Sequence, residues 1–436
     1  MQSSQKNIKK RAIKAGVWII AGHLLTQCIR FGGNLILTRL LMPEVFGVMA
    51  VVNVIIFGIG MFSDIGLNQN IIRSKNGEEP TFLNTAWTVQ IIRGFSIGLM
   101  ILIASAGFYQ AGKFGFIPTT MAYADKDLPF LLAFLSLGSF ISSFNSIYLF
   151  LLNRRLMLGK SIFIEITSQI AGLAVIIYIA WEYRTVYALV SGSVFSAFTK
   201  MLLSHLVIRD KCRFAWNKEA ITEIANFGKW IMISSILGFM LAQGDRLILG
   251  MLITPDLLGV YSVAFFLANA VKDILNKLLS SVFFPVISET IRERPERLKD
   301  IYYKIRHRVD AIAMFCAGFL FTTGNKIVEL LYDDRYHEAG WMLQILGLSM
   351  CSIGFTLAGQ CFLANGRSSI VTMLIGIQTV ALYVGLPLAF MHYGLTGAIW
   401  MIAATPVIRL IISGIFRKYS FSSTSLKNSL CYPCCF

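Results

Sequence analysis

The residues in this sequence that invite chemistry are charges placed where charges are expensive. Arg30, Arg93 and Lys272 fall near the middle of long apolar runs, and Lys277 follows one to two turns after Lys272. Asp64 and Asp245 also sit within such runs. An ionised group at the centre of a membrane helix costs at least ~2.5–3.5 kcal/mol on insertion scales, so each must face a cavity or a partner. A group of bases suits an anion. Arginine grips phosphate oxygens with a planar fork, and lysine supplies a compact point charge. Arg30 and Arg93 have no acid one turn away along the chain, which favours a cationic cavity for both. Lys272 and Lys277 are open to either reading, because Asp273, next in sequence to Lys272, and Asp245 on another run could neutralise them. Asp64 and Asp245 are candidates for an ion or proton site, although a helix-end cap explains Asp64 equally well. Lys200, Lys229 and Arg409 lie near run ends, where a long side chain can reach the interface.

Catalysis has no visible seat. His23, His205, His307, His337 and His392 are scattered, without an H-E-x-x-H spacing, and no P-loop or G-x-S-x-G occurs. Of the 8 cysteines, Cys28, Cys316, Cys351 and Cys361 lie in apolar runs and behave as small hydrophobes. The CxxC of the tail CYPCCF has no second ligand pair. We therefore expect no enzyme activity, no metal and no cofactor.

The elements that must hold the buried charges follow from composition. Of 436 residues, 56% are hydrophobic and only 14% are charged, where soluble domains average about 25% charged. The apolar residues form runs of about 20, the length of a helix crossing a ~30 Å hydrocarbon core. Lipid leaves backbone polar groups no other partner, so these runs are helices, about twelve of them. They extend from 15–41, preceded by the basic MQSSQKNIKKRAIK, to 394–416, and include single spans over 45–67 and 128–152. The fold class is an all-α polytopic membrane protein. The first run is too long for a signal-peptide core and reads as an uncleaved span.

Orientation comes from Lys and Arg. With the N-terminus inside, the predicted inner segments hold 25 of them and the outer loops only 5, namely Lys113, Lys126, Arg184, Lys326 and Arg335. This alternating bias predicts both termini in the cytoplasm. It also accounts for the net charge of +16 without a nucleic-acid partner.

The chain repeats itself. Residues 16–49 align with 228–261 at a constant offset of 212, matching Gly16 with Gly228, Trp18 with Trp230, Pro43 with Pro255 and Gly47 with Gly259. The shared Pro-acid-x-x-Gly-Val step, PEVFGV and PDLLGV, is the least accidental part. Six spans per half keep both halves in one orientation, so a parallel repeat about the membrane normal is expected. This gives an N-terminal six-helix lobe (1–210), a linker (211–223), a C-terminal six-helix lobe (224–416) and an atypical tail (417–436).

The segment LTRLLMPEVFGVMAVVNVIIFGIGMFSDIGLNQNIIRSK (37–75), with GDRLILGMLITPDLLGVYSVA (244–264) and SSVFFPVISE (280–289), resembles the polysaccharide-transport flippases of the Wzx type. These belong to the multidrug/oligosaccharidyl-lipid/polysaccharide exporter superfamily. The resemblance runs from about residue 10 to residue 416 and rests on R-L-L-x-P-E-x-F-G followed by D-x-G-L. It implies a flippase moving undecaprenyl-pyrophosphate-linked oligosaccharide repeat units across the bacterial inner membrane by alternating access, for O-antigen, capsule or exopolysaccharide synthesis. The partners it implies are that lipid-linked substrate, the bilayer, and polysaccharide polymerase with chain-length machinery. Many relatives carry two further helices, where this chain has KYSFSSTSLKNSLCYPCCF. Three other readings stand beside this one. A multidrug and toxin extrusion antiporter predicts an acidic cavity, against the basic excess here. A membrane-embedded polymerase or glycosyltransferase needs a larger outer loop than 110–127. The peptidoglycan lipid II flippase shares the pyrophosphate but implies fourteen spans.

Overall fold

Proline opens helix after helix. In this computed structural model it stands in the first turn of α2 (Pro43–Phe62), α4 (Pro80–Lys113) and α5 (Leu128–Ser143), and α10 (Pro255–Leu278) starts on Pro255. A proline there has no amide hydrogen to leave unpaired, and its fixed φ already suits the helix. The structure describes residues 2–118, 121–155, 157–208, 212–279, 287, 290, 297–357 and 368–420. The side chains of 2–19, 277, 278, 298, 299, 368–370 and 408–420 lie outside that description, as do Cys361 and the CYPCCF tail.

The other helices are α1 (Gln2–Leu40), α3 (Leu67–Arg73), α6 (Tyr148–Arg154), α7 (Leu158–Tyr183), α8 (Tyr187–Ile208), α9 (Lys218–Leu252), α11 (Leu298–Leu331), α12 (Ala339–Gly347) and α13 (Ser368–Ser420). Among the described residues, 9 helices are long and apolar enough to cross a membrane, with a tenth span if α5 and α6 count together. The expected number was about twelve. One difference is α1, which is helical but is not among those nine. The other is α13, a single element of 53 residues broken at Gly394, whose φ of 61° no right-handed helix contains. A straight helix of that length would run to about 80 Å, well beyond a bilayer, so the break divides two apolar stretches.

Two expected spans are also interrupted. The run 45–67 ends as helix at Phe62 and resumes as α3, and the run 128–152 splits into α5 and α6 with a 63° bend. Irregular backbone at membrane depth is tolerated where it is buried in protein or lines a cavity. Both breaks do the latter.

The chain divides into two compact units, Met1–Phe239 with Leu249–Gly259, and Met240–Ile248 with Val260–Phe436. In the first unit, Leu67, Ile71, Leu83, Trp87, Ile147 and Ile224 form a buried cluster joining α3, α4 and the start of α9. The two Pro-acid-x-x-Gly-Val steps meet in the same unit. A Cβ on Gly47 would run into the Pro255 carbonyl, and one on Gly259 into the Pro43 carbonyl. The contact is reciprocal, and only glycine allows backbones this close.

Candidate functional site

The two helix breaks leave backbone carbonyls without helical partners, and α4 supplies the donors. Where α2 ends, the Arg93 Nε donates to the Ser63 carbonyl at 2.6 Å and its Nη2 to the Gly60 carbonyl at 3.1 Å. The carbonyl end of a helix carries partial negative charge, so a guanidinium is well matched to it. Asp64 completes the corner. Its Oδ1 accepts the Gly66 amide at 3.0 Å, its Oδ2 accepts the Ser235 hydroxyl at 2.8 Å, and Arg93 Nη2 lies 3.8 Å away. Gly66, at φ 59° and ψ 41°, takes the left-handed conformation that turns the chain into α3.

One turn earlier on α4, Gln90 does the same for the second break. Its Nε2 donates to the Ser143 and Asn145 carbonyls at 2.9 and 2.8 Å, and Trp87 Nε1 adds a bond to Asn145 at 3.2 Å. From α8, His205 Nε2 pairs with the Phe144 carbonyl at 2.8 Å, and the Ser204 hydroxyl accepts the Ser146 amide at 3.0 Å.

Between these corners lies a cavity of about 830 Å³ within the first unit. Its lining is rich in amides and hydroxyls, among them Asn53, Asn68, Gln69, Asn153, Ser139 and Ser142. Four charged residues line it, Asp64, Arg93, Glu165 and Lys200, two of each sign. Lys200 Nζ meets Glu165 Oε2 at 2.5 Å, so both opposite pairs are already formed. The cavity is polar and electrically balanced. Carboxamides and hydroxyls both donate and accept hydrogen bonds, which is the chemistry that matches a polyhydroxylated ligand.

The second unit holds a different arrangement. Asp245 is 4% exposed, and its Oδ2 accepts the Tyr261 hydroxyl. Its Oδ1 has no hydrogen-bond partner among the described residues, nor does the buried hydroxyl of Tyr383. Lys272 lies within electrostatic reach of Asp273 and Asp245. Arg246 points elsewhere, bonded to Gln243 Oε1 at 2.9 Å and stacked 4.5 Å over the Phe265 ring.

The expected cationic group is divided between the units, with Arg30 and Arg93 in the first and Lys272 and Lys277 in the second. Arg93 lines the first unit's cavity, but its guanidinium is occupied by helix-end carbonyls and Asp64. Arg30 is exposed on α1 and does not line that cavity. Lys272 sits beside acids in the second unit, and the Lys277 side chain lies outside the described residues.

A family model described as "Polysaccharide biosynthesis protein" matches residues 36–341. The chain belongs to that family. Among curated relatives, it is 21% identical over 371 residues to the lipopolysaccharide biosynthesis protein WzxC of Escherichia coli K12, covering 84% of this chain and 72% of that protein. It is 20% identical to the succinoglycan biosynthesis transport protein ExoT of Rhizobium meliloti, covering 76% and 65%, respectively. Two solved structures share the fold. An inward-facing multidrug resistance MATE transporter superposes at TM-score 0.66 with 15% identity, over 96% of this chain and 99% of that one. The lipid II flippase MurJ, inward closed, gives 0.64 with 12% identity, over 94% and 88%. The family expected from PEVFG and DIGL is the one found.

The sequence alone did not mark Glu165 and Lys200 as a cavity pair. They lie on neighbouring helices, 35 residues apart, and neither marks the other in sequence. Gln90 was also missed. The available signal was the run Ser142-Ser143-Phe144-Asn145-Ser146, too polar to sit as plain helix in lipid.

Proposed function

We propose that this multi-pass membrane protein is a flippase for lipid-linked oligosaccharides, acting in the bacterial inner membrane with both termini in the cytoplasm. The observation that carries the reading is the polar, charge-balanced cavity of the first unit, in a chain of the polysaccharide biosynthesis family. A lipid-linked repeat unit must carry sugar hydroxyls through a medium that cannot solvate them. Asn53, Asn68, Gln69 and Asn153 offer replacement hydrogen bonds, while the paired charges add no net field to repel or trap the ligand. Arg93 acts as a positioning residue that fixes the end of α2 and so the mouth of the cavity. Arg30, Lys272 and Lys277 are the bases we assign to the pyrophosphate during passage. Alternating access of two six-helix lobes, hinged at PEVFGV and PDLLGV, supplies the movement.

Asp245 is the better of the two candidates for ion coupling. Asp64 is saturated by Gly66, Ser235 and Arg93, whereas Asp245 keeps one oxygen open in a buried site. Export of organic cations is the weaker alternative, because the described cavity holds as many bases as acids.

The test is complementation. A bacterial strain lacking its own repeat-unit flippase, supplied with matching sugar-synthesis genes, should regain surface polysaccharide when this chain is expressed. Correctly inserted protein that restores nothing, with lipid-linked units accumulating inside, would contradict the assignment.

A further inference from the structure

The far side of α3 lines a second pocket, of about 590 Å³, that the cavity above does not use. Asn68 and Gln69 face the polar cavity, whereas Asn70, Arg73 and Ser74 line this pocket with Lys75 and the α9 residues Glu223 and Trp230. Its base is firmly held. Arg154 donates to the Ile71, Ile72 and Ser74 carbonyls at 2.6, 3.3 and 2.5 Å, which fixes the chain leaving α3. Asn70 and Ser74 are buried in the floor, and Asn70 Oδ1 has no hydrogen-bond partner among the described residues. An amide can be turned end for end, so this position can present either a donor or an acceptor.

Arg73 is exposed but not loose, for its guanidinium lies 5.0 Å over the Phe227 ring. A base serving only to orient the chain in the membrane needs no such partner; stacking presets the planar fork that grips phosphate oxygens. With Arg73 and Lys75 as bases and Glu223 as the acid, the lining has a net charge of one positive at neutral pH. Trp230 is 69% exposed on the rim, beside Lys229, in the pairing of indole and base that marks a membrane–water boundary. The Lys and Arg bias assigns this end of the helices to the cytoplasmic side.

We propose that this pocket is a headgroup site for an anionic, phosphate-bearing membrane lipid, with Arg73 and Lys75 on the phosphate oxygens and Trp230 at the lipid boundary. The phosphate chemistry stands on the pocket alone. Whether the lipid is the carried substrate, waiting beside the sugar cavity, or bulk phospholipid rests on the flippase reading.

Native mass spectrometry of the full chain, released from phosphatidylcholine nanodiscs, tests it with three probes: undecaprenyl pyrophosphate, phosphatidylglycerol and inorganic pyrophosphate. Wild type should retain one of the anionic lipids over phosphatidylcholine, and an Arg73→Gln, Lys75→Gln variant should retain it about tenfold less. Preference for the polyprenyl lipid identifies the substrate, and preference for phosphatidylglycerol identifies bulk lipid; both support a lipid headgroup site. Equal retention by variant and wild type, or binding of inorganic pyrophosphate alone, would overturn it. Arg73→Lys, which keeps the charge and loses the stacked fork, should fall between the two and controls for folding. Flipping measured on the same proteins separates the claims. A wild type that flips nothing yet holds lipid through Arg73 contradicts the flippase reading and leaves the headgroup site intact.

Discussion

In the first unit the charges that line the cavity are closed on one another, whereas in the second an aspartate is left with an open oxygen. Asp64 has three partners and Lys200 has Glu165; Asp245 has Tyr261 on one oxygen and no hydrogen bond on the other. The internal repeat sharpens the contrast. At the offset of 212, Gly33 and Asn34 correspond to Asp245 and Arg246, and Arg30 corresponds to Ala242. Where α1 carries a glycine close against Leu173, α9 carries the buried acid. Two stretches that align in sequence thus hold different chemistry at matching positions. A saturated site suits hydrogen-bonding recognition, and an unsaturated buried carboxylate suits an exchangeable cation or proton.

The largest effect is expected from Arg93→Ala, which strips the α2 end of two charge-assisted bonds and leaves Asp64 without its cation. We expect a loss of about 2–4 kcal/mol in stability, read as a lowered unfolding temperature in detergent, together with loss of export. Wild-type stability would show that Arg93 does not hold the corner, and the first unit would then resemble the second. Next comes Asp245→Asn. It should leave folding near normal, yet make lipid-linked oligosaccharide transport in vesicles insensitive to an imposed proton or sodium gradient. Unchanged gradient dependence would remove Asp245 from coupling and flatten the comparison. A smaller effect is expected for the double replacement Glu165→Gln, Lys200→Met. This pair is more than a third exposed, so unfolding should shift by no more than about 1 kcal/mol. A change in which oligosaccharides restore surface polymer would place the pair at the ligand.

The smallest effect lies outside the spans. Hydrogen bonding from Arg155, with the charge of Arg154 nearby, holds the Glu78 carboxylate below its ordinary value of 4.5. A lowered folded-state pKa means the pair stabilises the fold above pH 4.5 and stops doing so as pH falls through the lowered value. Glu78→Gln should therefore leave thermal unfolding at pH 7 nearly as it is and slightly weaken its fall as pH drops below 4.5.

Much of the fold is legible because lipid imposes a simple rule: apolar runs of fixed length must be helices. The paired Pro-acid-x-x-Gly-Val steps are legible for a similar reason, since a proline start and a glycine four residues later leave few alternatives. The interruptions are harder to read. The end of α2 at Phe62 depends on Arg93 some thirty residues away, and the α5–α6 bend depends on Gln90 and His205. Local sequence shows the broken helix and not the group that satisfies it. Arg93 illustrates the cost of searching only one turn along the chain, because its acid comes from a different helix end. The cavity-lining amides are illegible for a related reason: an asparagine in a polar-tolerant stretch carries no mark of which cavity it lines.

The most direct test reconstitutes the full chain in vesicles holding a lipid-linked oligosaccharide on one leaflet, and follows its exposure to a membrane-impermeant sugar-oxidising reagent on the other. Wild type should move the lipid, and a folded Asn68→Leu, Gln69→Leu variant should move it far more slowly. Transfer by the variant at the wild-type rate would contradict recognition in the first unit's cavity, and no transfer by the intact wild type would contradict the flippase itself.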